Sequence, residues 1–252
     1  MLADDLPHHR RPGLPQYPDG SRRPIIAWIG ITAFLFGKRS ATGGTKLSWR
    51  YPLSEVATVT LMIVTYIIKR NNPTIDTLQM LFFLAYAPIF VLITVIDVEH
   101  KLILFVVIIP SALLAILDAL LTKYPPSIQG SLPGGLLGFV TFFLLYLGGI
   151  VYVYIANQVQ GRNITEVAFG YGDVMMATLS GLILGMGDLI FAMFITVLLG
   201  AIGALLYLLS KRLSGTGYSM ITALPYGPYI VLGTIIMMLF SREVRLFIVG
   251  YA

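Results

Sequence analysis

The chain of 252 residues is 57% apolar and only 12% charged, with a mean hydropathy of +0.84. Soluble domains are about 45–50% apolar and about 25% charged, so a soluble globular enzyme is excluded: too few charges are present to cover a water-facing surface. With no cysteine, disulfides, thiol catalysis and cysteine-based zinc sites are excluded as well, and His8, His9 and His100 do not make up a metal site. The net charge of +5 is read as a report of membrane topology and not of a nucleic-acid partner.

Residues 1–24 are rich in Pro, Arg, Asp and His without apolar periodicity, which predicts a flexible, solvated cytoplasmic tail. No apolar stretch follows a basic start as a secretory signal requires, so the tail is expected to be retained. Residues 25–52 are expected to form a short cytoplasmic or interfacial segment, because Pro24–Gly37 is apolar over too short a length for a full span. Residues 53–252 then form the membrane-embedded domain. Its apolar blocks predict an all-α polytopic bundle of about seven transmembrane helices. They cover Leu53–Ile68, Leu78–Ile96, Leu102–Leu121, Pro133–Ala156, Val174–Met186, Leu189–Leu209 and Tyr226–Phe240. The first and fifth are short, so each must lengthen into its flanks or be shielded by its neighbours.

Basic residues orient these spans. With the amino terminus in the cytoplasm, the cytoplasmic segments carry 12 Lys/Arg and the opposite side carries five, which favours that orientation. Small residues recur along the later spans, at Gly134, Gly135, Gly138, Gly148, Gly149, Gly200 and Gly203. They are read as sites of close helix packing.

Ionisable residues at membrane depth cost a few kcal/mol on insertion scales and so invite a functional question. Asp97, Asp118, Asp173 and Asp188 lie in or beside apolar blocks. Asp97 closes the second span beside Glu99, His100 and Lys101, where it is either an interfacial charge in a tight turn or a functional carboxylate. Asp173 follows Gly170-Tyr171-Gly172 at a helix start, where it is either an N-cap or a reactive group. The topology puts both at the cytoplasmic ends of their helices, so the two carboxylates can meet at one depth. Paired carboxylates in a low-dielectric site do not both ionise readily: one keeps a proton and acts as acid while the other activates water. Asp118 and Asp188 fall near the opposite side and are read as structural.

At these residues the sequence resembles the prepilin peptidases, or type IV leader peptidases. Gly170-Tyr171-Gly172-Asp173 resembles the GxGD motif of that family, and Asp97 falls where the family has its other catalytic aspartate. SWRYPLSE (residues 48–55) resembles the lead-in to the family's first span, and LPYGPYIVLG (residues 224–233) its late helix start. The resemblance implies a membrane aspartic endopeptidase of the plasma (inner) membrane, cutting the basic leader from pilin-like precursors at the cytoplasmic face. Asp97 and Asp173 would be catalytic, and Gly170, Gly172, Glu99 and Lys101 would bind substrate or support the site. Membrane lipid is the other expected partner. No cofactor is expected for proteolysis, and S-adenosylmethionine is expected only if the N-methyltransferase activity of many bacterial members is retained.

The chain departs from the family pattern in three places. Residues 37–46 stand where many members carry paired CxxC motifs, so no zinc-bearing subdomain is expected. Leu104 stands where many have proline, and Met175 where many have lysine. From the residues alone, the helix dipole favours an ionised Asp173 and leaves Asp97 as the expected holder of a shared proton. The glycines at 170 and 172 are expected to leave room for an extended substrate strand, and Glu99 and Glu166 are the acidic candidates for meeting a basic leader. Other classes left open are an ion-coupled transporter using the aspartates, an inactive pilus-assembly homologue, and a GxGD protease cutting inside other membrane proteins.

Overall fold

The computed structural model describes residues 6–8, 14–40, 44, 46–160, 170–213 and 225–250. Among them are seven α-helices and no strand: α1 (Gly30–Leu35), α2 (Arg50–Lys69), α3 (Thr77–His100), α4 (Phe105–Leu121), α5 (Ile128–Gln160), α6 (Tyr171–Leu213) and α7 (Gly227–Val249). Helices α2, α3, α5 and α6 are long and apolar enough to cross a membrane, and α4 is a shorter apolar helix. The protein is a multi-pass membrane helix bundle. Outward-facing Leu53, Val59 and Ile63 of α2 and Leu113 and Leu117 of α4 are exposed, as a lipid-facing surface requires.

The short first span lengthens at both ends, as expected, to the full length of α2. The fifth and sixth expected spans are joined in α6, which breaks at Gly185 (φ 74, ψ 172), a conformation open essentially to glycine alone. The two limbs run back alongside each other. Ser180 of the first limb bonds Thr234 of α7 at 2.7 Å, while Thr196 of the second donates to the Tyr229 carbonyl at 3.3 Å. A straight helix would separate residues 180 and 196 by about 24 Å, so the chain reverses at Gly185. The first limb stays short, but its neighbours enclose it: Val174, Met176 and Leu179 are fully buried against Tyr86, Phe90 and Ile96 of α3 and Ile230 and Met237 of α7 in the main core.

Close approach of α5 and α6 depends on glycine. A Cβ at Gly134 would lie 2.6 Å from the Gly185 carbonyl carbon, and one at Gly138 would lie 2.8 Å from that of Ala177. These glycines are packing residues, as the small-residue pattern predicts. Gly200 and Gly203 instead seat the rings of Tyr226 and Tyr229, and Gly148 faces open space.

Residues on both sides of position 24 pack together. Tyr17, Ala27, Ala33 and Leu47 form a second small core, with Tyr17 at 7% exposure. Arg23 is buried between the rings of Tyr17 and Tyr51, 5.7 and 4.7 Å from their centroids, and its Nε donates to the Gln16 carbonyl at 2.7 Å. Arg39 lies over Phe34 and Trp49 at 4.7 and 5.4 Å. Glu55 of α2 accepts the amides of Gly30 and Ile31 at 2.6 and 2.9 Å, capping α1 and holding it to the bundle. Guanidinium–aromatic stacking, worth about 0.5–2 kcal/mol a contact, adds to the apolar packing of this small core.

Candidate active site

Asp97 lies in the last turn of α3. That helix starts cleanly, with the Asp76 side chain accepting the Gln79 amide at 2.7 Å, an N-cap, and it ends at Lys101, whose φ of 52° is left-handed. The Lys101 amide donates to the Asp97 carbonyl at 2.8 Å, which is the αL form of a helix C-terminus. Asp173 sits in the first turn of α6. Its amide donates to the Gly170 carbonyl at 3.1 Å while its Oδ2 accepts the Gly170 amide at 2.9 Å. This is a reciprocal cap of the capping-box type, with aspartate in place of the usual glutamate.

Both carboxylates are buried, Asp97 at 5% and Asp173 at 9% exposure. The start of α7 closes on the same place. The Gly227 backbone lies beside the Asp97 carboxylate, and among the described residues Asp97 Oδ2 has no hydrogen-bond partner. Tyr226 precedes Gly227 in the chain and is half-buried. Ile103, in the α3–α4 connection, packs against both Gly172 and Gly227: its Cβ lies 2.8 Å from where a Gly172 Cβ would be. The room expected beside Gly172 is therefore filled by Ile103, whereas among the described residues the nearest atoms to the corresponding position at Gly170 are Asp173 Oδ2 and the Gly172 nitrogen, both at 3.9 Å. Buried, adjacent carboxylates on separate helices suit general acid–base chemistry on water.

The other expected residues take different places. Glu99 is ion-paired with Arg50 of α2, and His100 Nε2 lies 3.9 Å from it. Lys101 serves first as the end of α3. Glu166 lies outside the described residues. Asp118 accepts bonds from Tyr86, Thr122 and Gln79 at 2.8, 3.0 and 3.3 Å. Gln79 lies 18 residues before Asp97 on α3, so this network is roughly 27 Å from the site. Asp188 is held by Arg245 Nε at 2.7 Å. Among the described residues no group of three or more His, Asp or Glu side chains could hold a metal ion. Ile103, Tyr226 and Gly227 are the site residues the sequence reading did not single out as chemistry, although 226 and 227 fall inside the LPYGPYIVLG stretch.

Lys101 gives a separable test of structure against recognition. A left-handed conformation strains a residue with a Cβ by about 1 kcal/mol or more. Lys101→Gly is expected to raise thermal stability, and Lys101→Val to lower it by about 1–2 kcal/mol, measured by thermal unfolding in detergent. A glycine variant that gains stability yet loses turnover would assign the ammonium group to substrate.

The architecture and the buried pair thus define a membrane-embedded helical protein with acidic residues converging at one end of the bundle. Residues 84–205, with both Asp97 and Asp173 inside them, match the model of the type IV leader peptidase family. Comparison with curated proteins and with solved structures returned no match.

Proposed function

We propose that the protein is an aspartic endopeptidase that removes the basic leader of type IV prepilin-like precursors at the cytoplasmic face of the plasma membrane, with Asp97 and Asp173 as the catalytic pair. One observation carries this reading: two buried carboxylates from separate helices flank Ile103 at one end of the bundle, inside the segment that matches the family. The ionised partner takes a proton from water as its oxygen attacks the scissile carbonyl. The protonated partner donates to the carbonyl oxygen, and as the C–N bond breaks a proton passes to the leaving nitrogen. Asp173, already accepting the Gly170 amide, serves as the base, and Asp97 holds the shared proton. An infrared titration placing that proton on Asp173 would reverse the assignment. The transporter reading is disfavoured because the pair lies at helix ends and not at mid-membrane.

The test is co-expression with a pilin-like precursor, following leader loss by gel mobility and intact mass. Wild type is compared with Asp97→Ala and Asp173→Ala at matched membrane levels. Leader loss in the wild type alone is expected. Cutting by either variant would sink the pair. The product mass also reports whether a methyl group is added, and so whether S-adenosylmethionine enters.

A further inference from the structure

Between Gly20 and Arg50 the sequence holds six cations and no acid. Arg23 and Arg39 stack on rings inside the amino-terminal cap, and Arg50 pairs with Glu99. Arg22, Lys38 and Lys46 remain exposed, with Asp19 and Glu55 the nearest acids in sequence, the first bonded to Ser21 and the second to the α1 amides. The same small unit exposes Ile25 at 79%, Leu35 at 76% and Phe36 at 65%. It also carries both tryptophans of the chain, Trp28 and Trp49, each exposed. Exposed aliphatic residues, tryptophan and unopposed cations together match the chemistry of a bilayer surface bearing negative charge.

The cap is continuous with the lipid-facing wall of the bundle. Glu55 fixes it one and a half turns into α2, and a groove of about 710 Å³ opens between cap and spans, lined by Trp28, Ile29, Val59, Ile89, Leu92 and Val95. Four of these six residues belong to helices long and apolar enough to span the membrane, so the groove runs from the cap into the hydrocarbon zone. We propose that the cysteine-free cap is a lipid-binding foot: it docks on an anionic phospholipid surface, with headgroup phosphates at Arg22, Lys38 and Lys46 and an acyl chain in the groove. Because Arg50 opens α2 and pairs with Glu99, two residues from Asp97, docking holds that end of α3 at the bilayer surface.

The tryptophan content makes the test specific, since with excitation selective for tryptophan the emission arises only from Trp28 and Trp49 in the cap. The protein is reconstituted in phosphatidylcholine alone and in equal parts phosphatidylcholine and phosphatidylglycerol, with bromine on the acyl chains of one lipid at a time. Quenching by brominated chains is expected, stronger from brominated phosphatidylglycerol than from brominated phosphatidylcholine, with little quenching by acrylamide. Combining Arg22→Gln, Lys38→Gln and Lys46→Gln should erase the phosphatidylglycerol preference, by roughly fivefold per cation, while quenching by brominated phosphatidylcholine persists. Equal quenching by the two lipids in the wild type would overturn the headgroup assignment. Acrylamide quenching without quenching by brominated lipid would overturn the foot altogether and leave a water-facing surface for a protein partner.

Discussion

Asp97→Asn and Asp173→Asn are each expected to reduce leader cleavage by roughly 10²–10⁴-fold or more, the range for removing a positioned acid or base, while the protein still folds. Asparagine keeps the shape of the side chain and loses the ability to take or give the proton. The stability outcome separates catalysis from architecture. A buried carboxylate that served the fold would be satisfied, and its removal would destabilise. Among the described residues Asp97 Oδ2 is instead buried without a hydrogen-bond partner, an arrangement that costs about 1–3 kcal/mol. Asp97→Asn is therefore expected to leave thermal stability unchanged or higher, measured on detergent-purified protein, as activity collapses. At Asp173 the Gly170 amide is already bonded to Oδ2, and an asparagine oxygen can still accept it, so stability there should change little. The double variant should be no worse than the poorer single one, because two groups that share one proton act as a unit. Losses that multiply would mean two independent sites.

How much of this was legible in the sequence differs from residue to residue. Apolar block lengths carry the bundle, because hydrocarbon thickness acts on each span separately. Asp97 and Asp173 were legible because carboxylates at helix ends beside apolar blocks are few, and Gly170-Tyr171-Gly172-Asp173 adds a family resemblance. The reversal at Gly185 was legible as a break between two apolar runs. Ile103 and Gly227 were not, since their roles arise only when the α3–α4 connection and the start of α7 meet over 120 residues of intervening chain. Neither carries a charge or a hydrophobic period that marks it. The cap was not legible for a related reason: Arg23 and Arg39 count as solvated charges in any composition argument, and only the rings supplied by Tyr17, Tyr51, Phe34 and Trp49 draw the first into the interior and half-bury the second.

Gly227→Ala is expected to reduce turnover by roughly 10²-fold, the cost of misplacing a reacting group by about 1 Å. The added Cβ would lie 2.5 Å from Asp97 Oδ2, 3.0 Å from its Cγ and 3.2 Å from Ile103 Cδ1. Backbone strain contributes nothing, since Gly227 does not have a positive φ; the effect is steric. The nearest atom is the tip of the Asp97 side chain, which can rotate away at little cost, so the fold should survive while the carboxylate leaves its place beside Asp173. That predicts a fall in kcat with KM nearly unchanged, whereas damage to a binding groove would raise KM. Gly227→Val adds branches toward Ile103 and should lose both turnover and stability. Gly148→Ala is the control: its Cβ meets nothing within 4 Å, and alanine in a helix interior should stabilise by about 0.5–1 kcal/mol without touching catalysis. If Gly227→Ala cleaved at the wild-type rate, Asp97 would not be the group on which the reaction depends, even with Asp173 still essential.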